Sequence, residues 1–204
     1  MGRQSYNYSV FINCPIDHGY TPLFRASVFA ILRCGFYARC ALEEDDSGEL
    51  RLHKIYRIVS ECRLGIHDLS RTQLDGRSRL PRFNMPFELG LFLAAKHFGR
   101  KEHDRKVSKV FEARPHTYEA FISDIKGQDI SAHNNSPRTM VVMIRDWLSA
   151  NSPKTKLPGG HAIWRDYNSF IRWLPQQCRR VKLRIADLTF GDYWNLVYEW
   201  IENH

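Results

Sequence analysis

The sequence predicts an α/β protein. Residues 1–150 are expected to form a three-layer unit around a five-stranded, mainly parallel sheet, and residues 151–204 a linker with a C-terminal helical extension packed on it. Three observations predict this. Short β-like runs alternate with amphipathic helices through the first 150 residues, the pattern of parallel strands joined by crossover helices. The 204-residue chain is 43% hydrophobic and 13% aromatic, enough for a substantial core. A segment carrying Pro, Gly and Ser, from Asn151 to Gly160, then breaks the alternation.

The elements follow in order. Tyr8–Asn13 reads as a first strand, apolar enough to be buried on both faces. Thr21–Arg33 reads as a helix with Leu23, Val28, Ile31 and Leu32 inward, stopped by Gly35. Phe36–Leu42 is a second strand, and Glu43–Gly48 an acidic loop. Leu50–Cys62 places Leu52, Ile55, Ile58 and Val59 on one helical stripe. Leu64–Asp68 is a third strand, followed by a basic, polar loop from Leu69 to Arg82. Met85–Phe98 is a strong helix, apolar almost all round and therefore expected to be largely buried. Val107–Phe111 is a fourth strand, Tyr118–Ile125 a short helix, Asp129–Ala132 a short fifth strand, and Pro137–Ala150 a further helix. Residues 161–178 and 189–202, rich in Trp and Tyr, read as two more helices. They are too short to hold a core alone, so they are expected on the first unit or at an oligomer contact.

Right-handed crossovers put the loops that follow the strands on one edge of the sheet, where open sheets of this kind bind ligands. Residues 13–20, 43–48, 68–82 and 133–136 are therefore expected to share a rim.

Charge and composition narrow the classes of function. The formal charge is +8, but it is spread along the chain. The densest cluster, Arg179–Arg184, reads as a solvated face, which argues against nucleic acid. The positive surplus also suits a polyanionic small ligand such as a dinucleotide. No apolar run is long enough to cross a bilayer, and the first eight residues lack a leader's apolar core. The expectation is a cytoplasmic protein whose five cysteines, at 14, 34, 40, 62 and 178, stay reduced, with no structural zinc and no other metal. Glycine-rich phosphate-binding motifs and the G-x-S-x-G elbow are absent.

The sharpest segment runs from Leu80 to Lys96. Asn84 is a good N-cap and Pro86 suits a first turn. Glu88 then falls near the helix start, facing the rim, well placed to act on a bound sugar. Gly90 reads as a point of close backbone approach. The competing account of Glu88 is a carboxylate stabilised by the helix dipole. Around it, Asn13, Asp17, Tyr20, Asp46, Ser47, Asp68, Ser70, Arg71, Arg82 and Asn84 form the candidate substrate-binding set. Asp68 and the Asn13 and Ser70 side chains offer hydrogen bonds to ribose, base or phosphate; the competing account is an N-cap or Asx-turn for Asp68 and turn roles for Asn13 and Ser70. Tyr20 is a base-stacking or packing residue. Arg71 and Arg82 supply forked donors for a pyrophosphate. Asp46 and Ser47 belong to a possible acidic lid, whose competing account is a solvated turn. His67 is expected to point away from Asp68 because strand side chains alternate, as a satisfied core histidine. His133 is a weaker rim candidate.

Phe87-Glu88-Leu89-Gly90, after a loop following a third strand that ends in Asp, resembles the x-E-L-G segment of nucleoside 2-deoxyribosyltransferase-like proteins. The element order is similar to that of TIR domains, which share the flavodoxin-like layout. Val10–Asn13 resembles their first strand, Glu43–Gly48 occupies the place of the BB loop, and Ile66–Ser70 resembles the third strand and its exit. The resemblance covers about residues 8–150. Asn13-Cys14-Pro15, the long basic loop at 71–82 and the aromatic helices after 160 depart from it.

The resemblance implies that Glu88 is catalytic and that NAD is a substrate rather than a cofactor, cleaved at the nicotinamide–ribose bond to a linear or cyclic ADP-ribose product. It also implies a role in bacterial antiphage defence, with a homo-oligomer or a defence protein as partner. The residue types fit such chemistry, because a carboxylate stabilises an oxocarbenium-like centre as in glycosidases. Two alternatives stay open: a nucleoside deoxyribosyltransferase or hydrolase using the same glutamate, and a non-catalytic nucleotide-sensing or protein-interaction module.

Overall fold

The computed structural model describes residues 5–43, 46, 48–71, 82–152 and 156–204. Five strands form one all-parallel sheet: β1 Ser9–Asn13, β2 Tyr37–Arg39, β3 Leu64–Asp68, β4 Val107–Glu112 and β5 Ser131–Ala132, in the order β2-β1-β3-β4-β5. The helices are α1 Thr21–Arg33, α2 Arg51–Glu61, α3 Asn84–Phe98, α4 Pro137–Asn151, α5 Gly160–Arg180 and α6 Phe190–Asn203. This is the flavodoxin-like order, in which the connection reverses direction between β1 and β3.

Strand alternation decides which helix meets which side chains. Val10, Ile12, Leu64, Ile66 and Phe111 project to one face and join α1 and α4 in the largest core cluster. Phe11 and Val110 project to the other and meet α2 and α3 in two smaller clusters. Crossover helices thus cover both faces, as a parallel sheet requires.

α1 begins at Thr21 with Pro22 in its first turn. It ends in a Schellman turn: Gly35 sits at φ 76°, its N–H donates to the Leu32 carbonyl, and the Phe36 N–H donates to that of Ile31. Buried residues run through α1 from Leu23 to Leu32 on all sides, because α5 and α6 lie over its outer surface. Phe29 meets the rings of Tyr167, Phe170 and Trp200. The C-terminal helices therefore share the principal core and add a further layer outside α1 and α4. Thr189 and Asp192 form a reciprocal capping box that starts α6, and the Ser136 hydroxyl caps α4.

Three expectations need correction. Residues 118–125 form two separate 3₁₀ turns, Tyr118–Ala120 and Ser123–Ile125, instead of one helix. The Glu112 carboxylate accepts from the N–H groups of His116 and Tyr118 and from the Thr117 hydroxyl, which fixes the chain in a tight turn there. α3 is buried along one face only, through Met85, Glu88, Leu89 and Phe92, while Phe87, Gly90 and Phe98 are exposed. α1 is the helix buried all round. The close approach expected at Gly90 occurs instead at Gly65 on β3. A Cβ on Gly90 would meet nothing within 4 Å, whereas one on Gly65 would stand 2.7 Å from His67 Nε2 and 2.8 Å from the Phe92 ring. Among the described residues, no helix is long and apolar enough to cross a membrane.

Candidate functional site

The carboxyl edge of β1 and β2, the start of α2 and the first turns of α3 enclose a small, open-mouthed cleft with a cavity volume of about 140 Å³, below the usual size of sites that bury a whole drug-sized ligand. Its polar lining comprises Asn13, Arg51, Arg82, Asn84 and Glu88, and its apolar wall includes Ile12, Ile16, Phe24 and Met85.

Glu88 is the acid of this lining. It is buried, with 6% of its surface exposed, yet it lines the cleft. Among the described residues its carboxylate has neither a hydrogen bond nor an ion pair. Burial pushes its pKa from 4.5 up to about 7, and the Arg51 charge pulls the other way. The helix-dipole account fails on position. The helix starts at Asn84 after Phe83, so Glu88 is its fifth residue, beyond the first turn where the dipole acts. Asn84 is accordingly not an N-cap and makes no side-chain capping bond; it stands exposed at the cleft.

Arg51 was not among the sequence candidates. It is the first residue of α2, where a cation opposes the helix dipole. Cys14 and Cys40 also line the cleft. Both are buried, and burial raises both thiol pKa values, so neither is an activated nucleophile.

At the rim, Asp17 gathers Arg71 and Arg82 at 3.3 Å each and accepts from the Tyr20 N–H at 3.0 Å. The two arginines expected to hold a pyrophosphate thus share one carboxylate, and Arg82 alone of the pair lines the cleft. Asp46 lies outside the cleft lining; its exposed side chain accepts from the Gly48 N–H at 2.8 Å and closes a tight turn. Ser47 falls outside the described residues.

Asp68, Tyr20 and Ser70 are corrections to the expected binding set. Asp68 is fully buried and accepts from the Tyr20 hydroxyl at 2.6 Å, the Ser70 N–H at 2.8 Å and His133 Nε2 at 3.0 Å. Burial opposes its charge, but these donors, His133 foremost, outweigh it and hold the carboxyl below its ordinary range. The reason is alternation. His67 and Asp68 point to opposite faces of β3, so the face that brings His67 to α3 carries Asp68 to the α1 side. Ser70 and His133 face each other at 2.9 Å in the same buried network. This is not a nucleophile triad. Ser70 and Asp68 both engage Nε2 of His133, while Nδ1 accepts from the Asn135 N–H at 3.0 Å. A triad needs its serine and its carboxylate on different ring nitrogens.

Asn13 lines the cleft but is only 2% exposed. Its amide donates to the Met85 carbonyl at 2.8 Å and meets His67 Nδ1 at 3.1 Å. Among the described residues, no group of three or more His, Cys, Asp or Glu is placed to hold a metal ion.

No family model, curated protein or solved structure matches the chain. The chemistry of the cleft has to be read from its own residues.

Proposed function

We propose that the cleft cleaves the N-glycosidic bond of a ribosyl pyridinium, with NAD as the substrate and Glu88 as the reacting carboxylate. The observation that carries this reading is a buried carboxylate, free of any partner among the described residues, facing an open cleft at the ligand-binding edge of a parallel sheet. The x-E-L-G resemblance supports the same assignment. Arg51 and Arg82 give the cleft the positive balance that a diphosphate requires.

The chemistry follows from charge. The C1′–N bond breaks with both electrons leaving on the nicotinamide nitrogen, so the departing ring becomes neutral and needs no acid. Positive charge remains on C1′ and its ring oxygen. An ionised carboxylate in a poorly hydrated wall stabilises it more strongly than water would. Water then adds at C1′ and releases a proton to Glu88 or to solvent, giving ADP-ribose. An adenine nitrogen adding in its place gives the cyclic product. The substrate's own cation favours ionisation of Glu88 on binding, which offsets the raised pKa of the empty site. A place in antiphage defence, with a homo-oligomer or a defence protein as partner, belongs to the same proposal and rests on the resemblance.

The test is nicotinamide release from NAD by the full chain, alone and with candidate activating partners. Glu88→Gln removes the charge while breaking no hydrogen bond or ion pair among the described residues, and turnover should fall by at least a hundredfold, in the range seen when a key electrostatic group is lost. A Gln variant with full turnover would take Glu88 out of the reaction. Base exchange between deoxynucleosides, with NAD untouched, would identify the deoxyribosyltransferase instead.

A further inference from the structure

We propose that Asn13 and His67 act together as the positioning device for Glu88, fixing α3 on both sides of the reacting carboxylate. This rests on the reading of Glu88 given above, and it moves Asn13 from substrate ligand to support.

The two residues are direct register partners on adjacent strands, Asn13 of β1 opposite His67 of β3. Both project to the face covered by α3. From there two contacts reach the helix. The Asn13 amide donates to the Met85 carbonyl at 2.8 Å, three residues before Glu88. The His67 ring packs edge-on against Phe92, four residues after Glu88, with centroids 5.0 Å apart. Residues three and four apart share a helix face, so the carboxylate lies between two fixed points on its own stripe.

The hydrogen-bond inventory fixes the protons as well. Turning the Asn13 amide over would set its oxygen against the Met85 carbonyl, acceptor against acceptor, so the NH₂ must face Met85. Its second hydrogen then points at His67 Nδ1, 3.1 Å away, which must be unprotonated. The ring proton therefore sits on Nε2. Among the described residues that atom is buried without a hydrogen-bond acceptor, over Gly65 and beside the Phe92 ring. Burial disfavours an imidazolium there, and Lys106, whose Nζ stands 4.6 Å from the centroid of the same Phe92 ring, adds a positive charge that acts in the same direction. Gly65 completes the device, since any side chain there would displace both His67 and Phe92.

The experiment uses the full chain with two variants, Asn13→Leu and His67→Phe. Asn13→Leu removes the donor at nearly constant volume and adds no charge; His67→Phe keeps a ring on Phe92 but removes the Nδ1 acceptor. Nicotinamide release from NAD should lose about 10- to 100-fold in kcat, with KM changed by no more than about twofold, the pattern of a misplaced catalytic group. In a labelled protein without substrate, the carbon resonance of the Glu88 carboxyl should titrate lower than its wild-type midpoint as the first turn of α3 loosens and admits water. Nitrogen shifts of the wild-type His67 ring should show the proton on Nε2 throughout pH 5–8. A tenfold rise in KM with kcat held would make Asn13 a substrate ligand and overturn the proposal. An unmoved Glu88 titration in folded variants would overturn it too, as would a proton found on Nδ1. If NAD is not turned over at all, the functional reading falls, while the Glu88 titration and the ring nitrogens still decide the positioning pair. Should both variants fail to fold, the wild-type ring nitrogens alone decide it.

Discussion

Replacing Glu88 by Gln should make the protein more stable at alkaline pH and leave it unchanged in acid. Glu88 is 94% covered and makes no bond among the described residues that the substitution would break. Its pKa rises from 4.5 in an exposed chain to about 7 in the fold. The folded state therefore holds this proton more tightly than the unfolded state does. Stability contributed by the neutral acid is fully present below pH 4.5, declines between 4.5 and about 7, and is gone above that. At 1.36 kcal/mol per pH unit the ceiling is about 3 kcal/mol, and water reaching the carboxylate through the cleft mouth lowers the expectation to about 1–3 kcal/mol. Glutamine has nearly the same shape and no charge at any pH. The wild type and Glu88→Gln should therefore show nearly equal urea midpoints at pH 4.5, diverging to a variant more stable by about 1–3 kcal/mol at pH 8. At about 2–4 °C per kcal/mol for a chain of this size, the melting temperature at pH 8 should rise by about 2–12 °C. Taking the difference between two proteins at each pH cancels every other titrating group. A difference that stays flat with pH, or a variant less stable at pH 8, would show that the carboxylate is solvated or paired, and the electrostatic argument for the cleft would fail with it.

The other expectations are as direct. Gly65→Ala should cost about 1–3 kcal/mol by thermal unfolding, because its Cβ would enter the His67 and Phe92 contact. Gly90→Ala should instead gain about 0.5–1 kcal/mol, since the site is open space within a helix. Asp68→Asn should cost about 2–4 kcal/mol near neutrality, because an amide cannot accept from Tyr20, Ser70 and His133 together. The folded pKa of Asp68 is lowered, so its contribution is present above the ordinary carboxylate range and lost as pH falls through the folded value. The variant's penalty should therefore shrink in acid, read by urea unfolding across pH 3–7. Arg51→Met removes the cation that opposes the burial of Glu88, so the Glu88 titration should move further up in a carboxyl-resolved pH titration.

Much of the fold was legible because its boundaries are chemical. Pro22 and Gly35 bracket α1, and both α1 and β3 occupy the residues read from sequence. The second strand is shorter than expected. Arg39 ends it, with its guanidinium folded back onto Glu43 and Glu61, and a strand bonded on one side alone has little to extend it. In the site, Glu88 stood out by its place near the start of an apolar helix, facing the rim, and by the x-E-L-G resemblance. Arg51 carries a different signal, a cation at a helix start that opposes the dipole. Asp68 was misplaced although alternation was applied to its neighbour. What failed was carrying the same step one residue further and across the β1–β3 register, where Asn13 faces His67.

The two faces of the sheet divide the labour. On one, α1 and α4 lie between the strands and the outer helices α5 and α6, in one continuous apolar cluster that runs from Val10 to Trp200. A buried polar network of Asp68, Tyr20, Ser70 and His133 sits at the carboxyl end of that face, away from the cleft lining. On the other, α2 and α3 meet the sheet through two smaller clusters. Between them lie Asn13, His67 and Lys106, three buried polar side chains that an apolar core would exclude. Each is accounted for by what it holds: Asn13 the first turn of α3, His67 the Phe92 ring, and Lys106 the carbonyls of Val59 and Cys62 at the end of α2. A helix seated by apolar packing alone can slide with little directional penalty, whereas hydrogen bonds fix register. Placing an acid against a particular atom of a ligand demands that register on α3. The polar seam thus stands on the face where the cleft opens, and the thicker apolar face supplies the stability that lets a burdened carboxylate stay buried.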